Sequence, residues 1–175
     1  FPHSSEVTPH HLLLSQEDLP ADDPRGKVNP PLRSAAERSH LLASWDRIPV
    51  LASDHAPHTR EEKAAEFSRA PAGMPGVETM IPLMVPFVLS GRIPHSSLVE
   101  KTSVNPSKIL GIPPTGFSAG HRADFVLVPR EVETIHGRDL HSRCGWTPFE
   151  GREAGFPARG SLSGEEVFRE GGFTR

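Results

Sequence analysis

The feature that most constrains the fold of this chain is its proline content. Nineteen of the 175 residues are proline, which is about twice the average usage in proteins. Because proline fixes φ and removes a backbone donor, it interrupts helices and central strands. The sequence therefore predicts many turns and short elements rather than a few long helices.

Composition places the chain among globular proteins and excludes several classes of partner. Apolar residues make up 35% of the chain, and the 15 glycines bring this share to about 44%, as is usual for soluble domains. The net charge of -3 offers no basic surface for nucleic acid or an anionic membrane. The chain has one cysteine and no apolar run of membrane-spanning length. We therefore expect a cytoplasmic location.

Short helices and strands are predicted to alternate over residues 1–112. Ser34 and Glu37 form a capping box that opens a predicted helix over 34–45. An apolar run at 48–52 predicts a buried strand. The remaining predicted elements are helices at 61–67, 77–89, 96–102 and 106–110, the second of them kinked at Pro82 and Pro86, and a strand at 123–128.

The order of these elements is typical of the last βα units of a (β/α)8 barrel. Residues 113–175 instead hold short apolar runs separated by glycine, proline and arginine, which is typical of small β structures. We therefore predict the α/β class. Residues 1–112 would form the C-terminal part of a TIM-like barrel and 113–175 a small β-rich, β-sandwich segment, joined by a turn-rich link at 111–120.

The most specific segment for chemistry is Ser53-Asp54-His55-Ala56-Pro57-His58. A carboxylate at the end of a buried strand, followed by two imidazoles, offers metal ligands where barrel enzymes build their sites. Asp54 could bind zinc and accept a proton from metal-bound water. On spacing alone a second interpretation is equally supported, in which Asp54 caps the following helix and the histidines face solvent.

The chain resembles the dihydroorotase family, in its class I archaeal and bacterial form, through seven motifs in the same order. Four lie in the first part: VTPHHLLL at 7–14, KVNPPLR at 27–33, ASDHAPH at 52–58 and APAGMPGVET at 70–79. Three follow: NPSKILGI at 105–112, GHRADFVLV at 120–128 and TPFEG at 147–151. The resemblance covers nearly the whole chain.

This resemblance implies a set of site residues. Asp54 matches an aspartate that ligates the more buried metal and carries the proton during ring opening. Asn29 and His58 match residues that contact the substrate, and Ala72-Gly73 matches a backbone pair that hydrogen-bonds the pyrimidine ring. The implied reaction is the reversible, zinc-dependent hydrolysis of dihydroorotate to N-carbamoyl-aspartate, with one or two Zn²⁺ in each complete site.

Other polar residues of these motifs are expected to have supporting roles. The tandem His10-His11 follows the segment in which the family carries a histidine ligand, so both are interpreted as structural supports near the site. Arg33 and Lys63 are expected to lie at the surface or to cap a helix.

The rest of the metal ligands that the family implies are missing from the sequence. Neither a His-x-His pair, nor a bridging carboxylate or carboxylated lysine, nor two further histidine ligands can be located. Catalytic zinc needs about three protein ligands, so we expect this chain to be an inactive fragment of a longer enzyme. Its start at Phe1 rather than Met also favours an excerpt or a processed product.

Two alternative functions remain open from the sequence. One is a non-catalytic dihydroorotase-like scaffold that binds another enzyme of pyrimidine biosynthesis. The other is an allantoinase or hydantoinase, which shares the barrel and metal site but opens a different ring. The KVNPPLR and SDHAPH strings favour dihydroorotase, with a small-molecule substrate and with a homo-oligomer or a pathway enzyme as the expected protein partner.

Overall fold

The computed structural model describes residues 4–113 and 115–174. Its helices are α1 (Pro9–Leu13), α2 (Ala35–Ala43), α3 (Arg60–Lys63), α4 (Val85–Leu89), α5 (His95–Val99) and α6 (Asn105–Leu110). Its strands are β1 (Glu6–Val7), β2 (Val50–Leu51), β3 (Phe125–Leu127), β4 (Glu133–Thr134), β5 (Glu153–Ala154), β6 (Arg159–Leu162), β7 (Glu165–Arg169) and β8 (Gly172–Phe173).

Single turns of 3-10 helix lie at Pro24–Gly26, Trp45–Arg47, Pro82–Met84 and Gly137–Asp139, and a π-helical turn lies at Glu100–Val104. The longest α-helix in the described ranges has nine residues, so the predicted dominance of short elements is confirmed, as is the mixture of helix and sheet. Within those ranges, none of the helices has both the length and the apolar character needed to cross a bilayer.

Contacts within the chain divide it into two units. The first consists of Phe1–Met80 and Thr134–Arg152, and the second of Ile81–Glu133 and Glu153–Arg175. Each unit therefore joins two separate stretches of sequence. The predicted domain boundary between residues 112 and 113 stays a prediction. Residue 114, which belongs to the predicted link at 111–120, lies outside the described residues.

The first unit contains a parallel pair of strands, β1 and β2. Val7 lies opposite Leu51 in this pair, and both side chains are buried. The pair extends through a hydrogen bond from the Ala52 backbone N–H to the Val7 carbonyl oxygen at 2.9 Å. The predicted strand at 48–52 is thus confirmed in place, and its partner comes from a segment more than 40 residues earlier in the chain.

The capping box predicted for α2 is present. The Ser34 hydroxyl accepts from the Glu37 backbone N–H at 3.3 Å, and the Glu37 carboxylate accepts from the Ser34 backbone N–H at 3.1 Å. These reciprocal bonds satisfy two backbone donors that the first helical turn would otherwise leave unpaired. The helix ends at Ala43 and is followed by the 3-10 turn that carries the buried Trp45.

The predicted apolar helix at 77–89 is interrupted, and its helical part lies in the second unit. Helical structure begins only with the 3-10 turn at Pro82–Met84 and continues into α4. Because a proline lacks the backbone N–H that a continuous helix needs, Pro82 and Pro86 each stand in the first turn of a new segment. Leu83 and Met84 are buried, so this segment belongs to the core of the second unit.

An antiparallel sheet in the second unit has the strand order β3-β6-β7-β8. Ser163 and Gly164 connect β6 to β7 with φ values of 53° and 84°, which is the pair of positive values that a tight type I′ hairpin requires. The predicted strand at 123–128 is observed as β3, at the edge of this sheet.

Candidate active site

Asp54 lies just beyond the carboxyl end of β2, in the first unit. Its φ of 44° places it in the left-handed region, which residues other than glycine rarely adopt and which is enriched at functional sites. The side chain is 44% exposed. This backbone conformation ends the strand abruptly and presents the carboxylate at the strand's carboxyl end.

His10 faces the Asp54 carboxylate from α1. Its Nε2 atom is 3.6 Å from Oδ2 of Asp54, just beyond hydrogen-bond distance. The His10 side chain is 2% exposed, and Nε2 has no hydrogen-bond partner within the described ranges. Burial, and to a smaller degree the neighbouring His11, lowers the pKa of His10 to about 3, so this imidazole is neutral at physiological pH.

His11 holds the backbone next to Asn29. Its Nε2 lies 2.9 Å from the Pro30 carbonyl oxygen, and its Nδ1 lies 2.7 Å from the Thr8 hydroxyl. Because a carbonyl can only accept, Nε2 carries the proton and Nδ1 accepts from the hydroxyl. Asn29 itself is exposed. The expected supporting role of the tandem histidines is therefore visible at His11, whose ring also contacts the His10 ring in a tilted arrangement with centroids 4.4 Å apart.

His58 contacts another residue pair that the family resemblance singles out. Its Nε2 donates to the Ala72 carbonyl oxygen at 3.2 Å, and its Nδ1 lies 3.5 Å from the Glu62 carboxylate. The His58 carbonyl accepts from the indole N–H of Trp146 at 2.8 Å. The His58 ring and the His58 backbone carbonyl are thus both held by contacts, and 27% of the side chain stays exposed.

Gly73 lies where two backbone segments approach each other closely. Its φ is 136°, and a Cβ atom at this position would lie 2.6 Å from the Ala56 carbonyl oxygen. The Gly73 N–H donates to the Lys27 carbonyl at 2.9 Å. That donor is therefore already used, and the groups through which the pair could bind a ligand are its two carbonyls and the Ala72 N–H.

His55 connects the segment after Asp54 to the loop that follows Ala72-Gly73. The sequence analysis did not predict this role. Its Nδ1 accepts from the backbone N–H groups of Gly76 and Val77 at 3.0 and 3.2 Å, so its proton lies on Nε2. The Ala56 N–H donates to the Met74 carbonyl at 3.0 Å. The segment after Asp54 and the loop that carries Ala72-Gly73 are thus joined by main-chain contacts and one imidazole.

Lys63 is buried, so of the two roles expected for it, the surface position is wrong. The side chain is 4% exposed, and its ammonium group donates to the carbonyls of Pro24, Lys27 and Pro71 at 2.9 to 3.2 Å. Burial, followed by the charge of Lys27, lowers its pKa. All three donors are used, and they tie the segment before Asn29 to the loop before Ala72.

Replacing Lys63 by methionine should lower the free energy of unfolding by about 3 kcal/mol, because three carbonyls lose a charged donor. Urea denaturation of the complete polypeptide measures this change. Lys108→Met is the matched control, since Lys108 is exposed on α6 and its replacement should change stability by less than about 0.5 kcal/mol. Equal denaturation midpoints for the two variants would show that the Lys63 contacts carry no stability.

The predicted site residues lie in two clusters, which are connected because Asp54 and His58 are four residues apart in the sequence. One contains Asp54 with His10, and the other contains His58 with Ala72-Gly73. Asn29 is linked to the first cluster through the contact of His11 with Pro30. Within residues 4–113 and 115–174, no three His, Cys, Asp or Glu side chains come close enough to hold a metal ion. The described residues therefore do not form a zinc site by themselves.

Solved structures define the class of protein that this chain is similar to. No family model matches the chain. L-hydantoinase (dihydropyrimidinase) from Arthrobacter aurescens matches with a TM-score of 0.91 and 28% identity, over 98% of this chain and 40% of that one. Dihydropyrimidinase from Brevibacillus agri matches with a TM-score of 0.87 and 26% identity, over the same shares. These neighbours are amidohydrolases of the TIM-barrel class, and the chain corresponds to part of their fold.

Within the amidohydrolases, the relatives that match this chain in sequence are dihydroorotases. Dihydroorotases from Halobacterium salinarum and Archaeoglobus fulgidus are 46% and 48% identical over 167 and 164 residues, 93% of this chain in both cases. The dihydroorotase from Pyrococcus furiosus is 46% identical over 169 residues, 95% of the chain. The chain spans 40% of the length of each relative. It thus matches the C-terminal part of dihydroorotases, which confirms the resemblance drawn from its motifs.

Proposed function

We propose that this chain is the C-terminal part of a dihydroorotase, an enzyme that reversibly hydrolyses (S)-dihydroorotate to N-carbamoyl-L-aspartate in the de novo synthesis of pyrimidines. The observation that carries the proposal is identity above 45% to dihydroorotases over nearly the whole chain. Hydantoinases match the fold more distantly in sequence, at 28% identity or less for the neighbours compared above. The parallel pair β1-β2 supports the further proposal that the first unit is part of a barrel.

Zinc binding is proposed for the complete polypeptide, with Asp54 as one of its ligands. The described residues supply too few ligands to hold the ion alone. When bound, zinc polarises a carbonyl and lowers the pKa of its water to about 7. The remaining ligands would come from a part of the polypeptide that precedes this segment in the relatives.

Asp54 is the group proposed to carry the proton. Ring opening adds a hydroxyl to the amide carbon, breaks the carbon–nitrogen bond and adds a proton to the departing nitrogen. A carboxylate that is 44% exposed, at the end of a strand that we propose to be part of a barrel, would reach both the water and that nitrogen. Its backbone lies in the left-handed region, a conformation that is enriched at functional sites.

Substrate binding is proposed for Asn29, His58, Ala72 and Gly73. The His58 ring is held between the Ala72 carbonyl and the Glu62 carboxylate, and the Gly73 N–H donates to the Lys27 carbonyl. We therefore assign ring contacts to the carbonyls of Ala72 and Gly73, which would accept from the N–H groups of the pyrimidine ring. The exposed amide of Asn29 remains available to a polar substituent.

The complete polypeptide should hydrolyse dihydroorotate with a kcat/KM about 100-fold or more above its value for allantoin or a hydantoin, because a site built for a polar substituent rejects rings that lack it. Steady-state assays with the three substrates measure this ratio. A lower value for dihydroorotate than for either other ring would refute the proposed substrate. Absence of turnover with all three would instead support the scaffold alternative.

A further inference from the structure

The orientation of His10 has no role in the function proposed so far. It is a fully buried imidazole whose Nε2 lacks a hydrogen-bond partner among the residues described. Leaving a buried polar atom unpaired costs about 1 to 3 kcal/mol, so such an atom in a native protein calls for an explanation, of which a functional role is one. The acceptor nearest to this nitrogen in an ion-pair geometry is Oδ2 of Asp54, at 3.6 Å.

The two residues lie at equivalent distances beyond the ends of two paired strands. Val7 and Leu51 are partners in the parallel register of β1 and β2, His10 follows Val7 by three residues, and Asp54 follows Leu51 by three. The hydroxyl of Thr8 caps α1, and this cap fixes the turn that directs His10 back over the strand end. The geometry is therefore set by the fold of the first unit rather than by flexible side chains.

The chemistry of the pair determines which form of the imidazole faces the carboxylate. A nitrogen lone pair directed at a carboxylate oxygen would be repelled, whereas an N–H group would be attracted. A neutral imidazole with its proton on Nε2 therefore suits this position. In that form His10 can hold one carboxylate oxygen and leave the other directed out of the protein interior.

We propose that His10 is a positioning residue whose Nε2–H holds Oδ2 of Asp54 in the working enzyme, so that Oδ1 faces the metal and substrate. The inference rests on the function proposed for Asp54. Partners that orient a metal ligand in this way typically affect metal affinity or activity by about 10- to 100-fold when they are removed. His10 itself contacts neither the substrate nor the metal.

Three replacements of His10 in the complete polypeptide separate positioning from packing. Glutamine places an amide N–H where Nε2 now lies, asparagine carries the same amide on a shorter side chain, and phenylalanine fills the volume without a donor. We expect His10→Gln to keep kcat within about threefold of the original enzyme, and His10→Asn and His10→Phe to lower it by about 10- to 100-fold with little change in KM.

Zinc retained per chain after dialysis against a chelator provides a second readout, independent of turnover. His10→Gln should retain zinc as the original protein does, and His10→Asn and His10→Phe should lose it. His40→Phe is the matched control, because His40 is exposed on α2 and its replacement should leave both readouts unchanged.

Full activity and zinc in His10→Phe would overturn the inference, and so would equal losses in the glutamine and asparagine variants. If His10→Phe fails to fold, the comparison of glutamine with asparagine still decides the question. Failure of the proposed function gives a different result, because the unmodified polypeptide would then not hydrolyse dihydroorotate, or Asp54→Ala would remain active.

Discussion

Asp54→Ala in the complete polypeptide should lower kcat for dihydroorotate hydrolysis by about 1,000-fold or more. The proposed roles of this carboxylate, metal ligand and proton carrier, would both be lost. Its backbone adopts a φ of 44°, a conformation that alanine tolerates poorly, so the variant also needs a test of folding. Circular dichroism and steady-state kinetics on the same preparation provide the two measurements.

Two companion variants separate chemistry from folding. Asp54→Asn keeps the size of the side chain and suits the left-handed region, yet it cannot carry the proton, so kcat should fall by at least about 100-fold. Asp46→Ala serves as the control, because Asp46 is exposed in the 3-10 turn at Trp45–Arg47. Near-normal ring opening in both Asp54 variants would refute the catalytic role.

Gly73→Ala should destabilise the protein by about 3 kcal/mol or more and greatly reduce turnover. The added methyl group would overlap the Ala56 carbonyl oxygen at 2.6 Å and the Ala56 side chain at 2.8 Å, in a backbone conformation that already disfavours alanine. Since both contacts involve Ala56, two residues after Asp54, relief of the overlap would move the candidate site. Urea denaturation and kinetics of the complete polypeptide measure the two effects.

Gly151→Ala is the control for backbone conformation alone. Gly151 lies in the same unit as Gly73 and also has a positive φ, 79°, but a Cβ atom there would meet no other atom within 4 Å. Its replacement should cost only about 1 kcal/mol and leave kcat unchanged. If the two alanine variants were equally stable and active, the close approach at Gly73 would have no energetic consequence.

Local signals in the sequence were sufficient to predict several elements of the fold. The Ser34 and Glu37 capping box is a contact within one helical turn, and the prolines at 82 and 86 act on their own backbone. The pairing of β1 with β2 could not be predicted in this way. Each strand is two residues long, and their association depends on segments more than 40 residues apart.

The candidate site shows the same division between local and distant causes. Asp54 could be selected because it directly follows an apolar run, and the motifs around it carry the family resemblance. The burial of Lys63 could not be inferred, since its three carbonyl partners come from two segments, at 24–27 and at Pro71, and no local pattern brings these together. The approach of His10 to Asp54 likewise depends on the register of two strands, which no local pattern encodes.

Zinc-edge anomalous diffraction from crystals of the complete polypeptide tests the central claim most directly. We expect an anomalous peak about 2.0 to 2.2 Å from a carboxylate oxygen of Asp54. A polypeptide without zinc, or one that binds zinc while Asp54 points away from it, would contradict the assignment of this carboxylate to the active site.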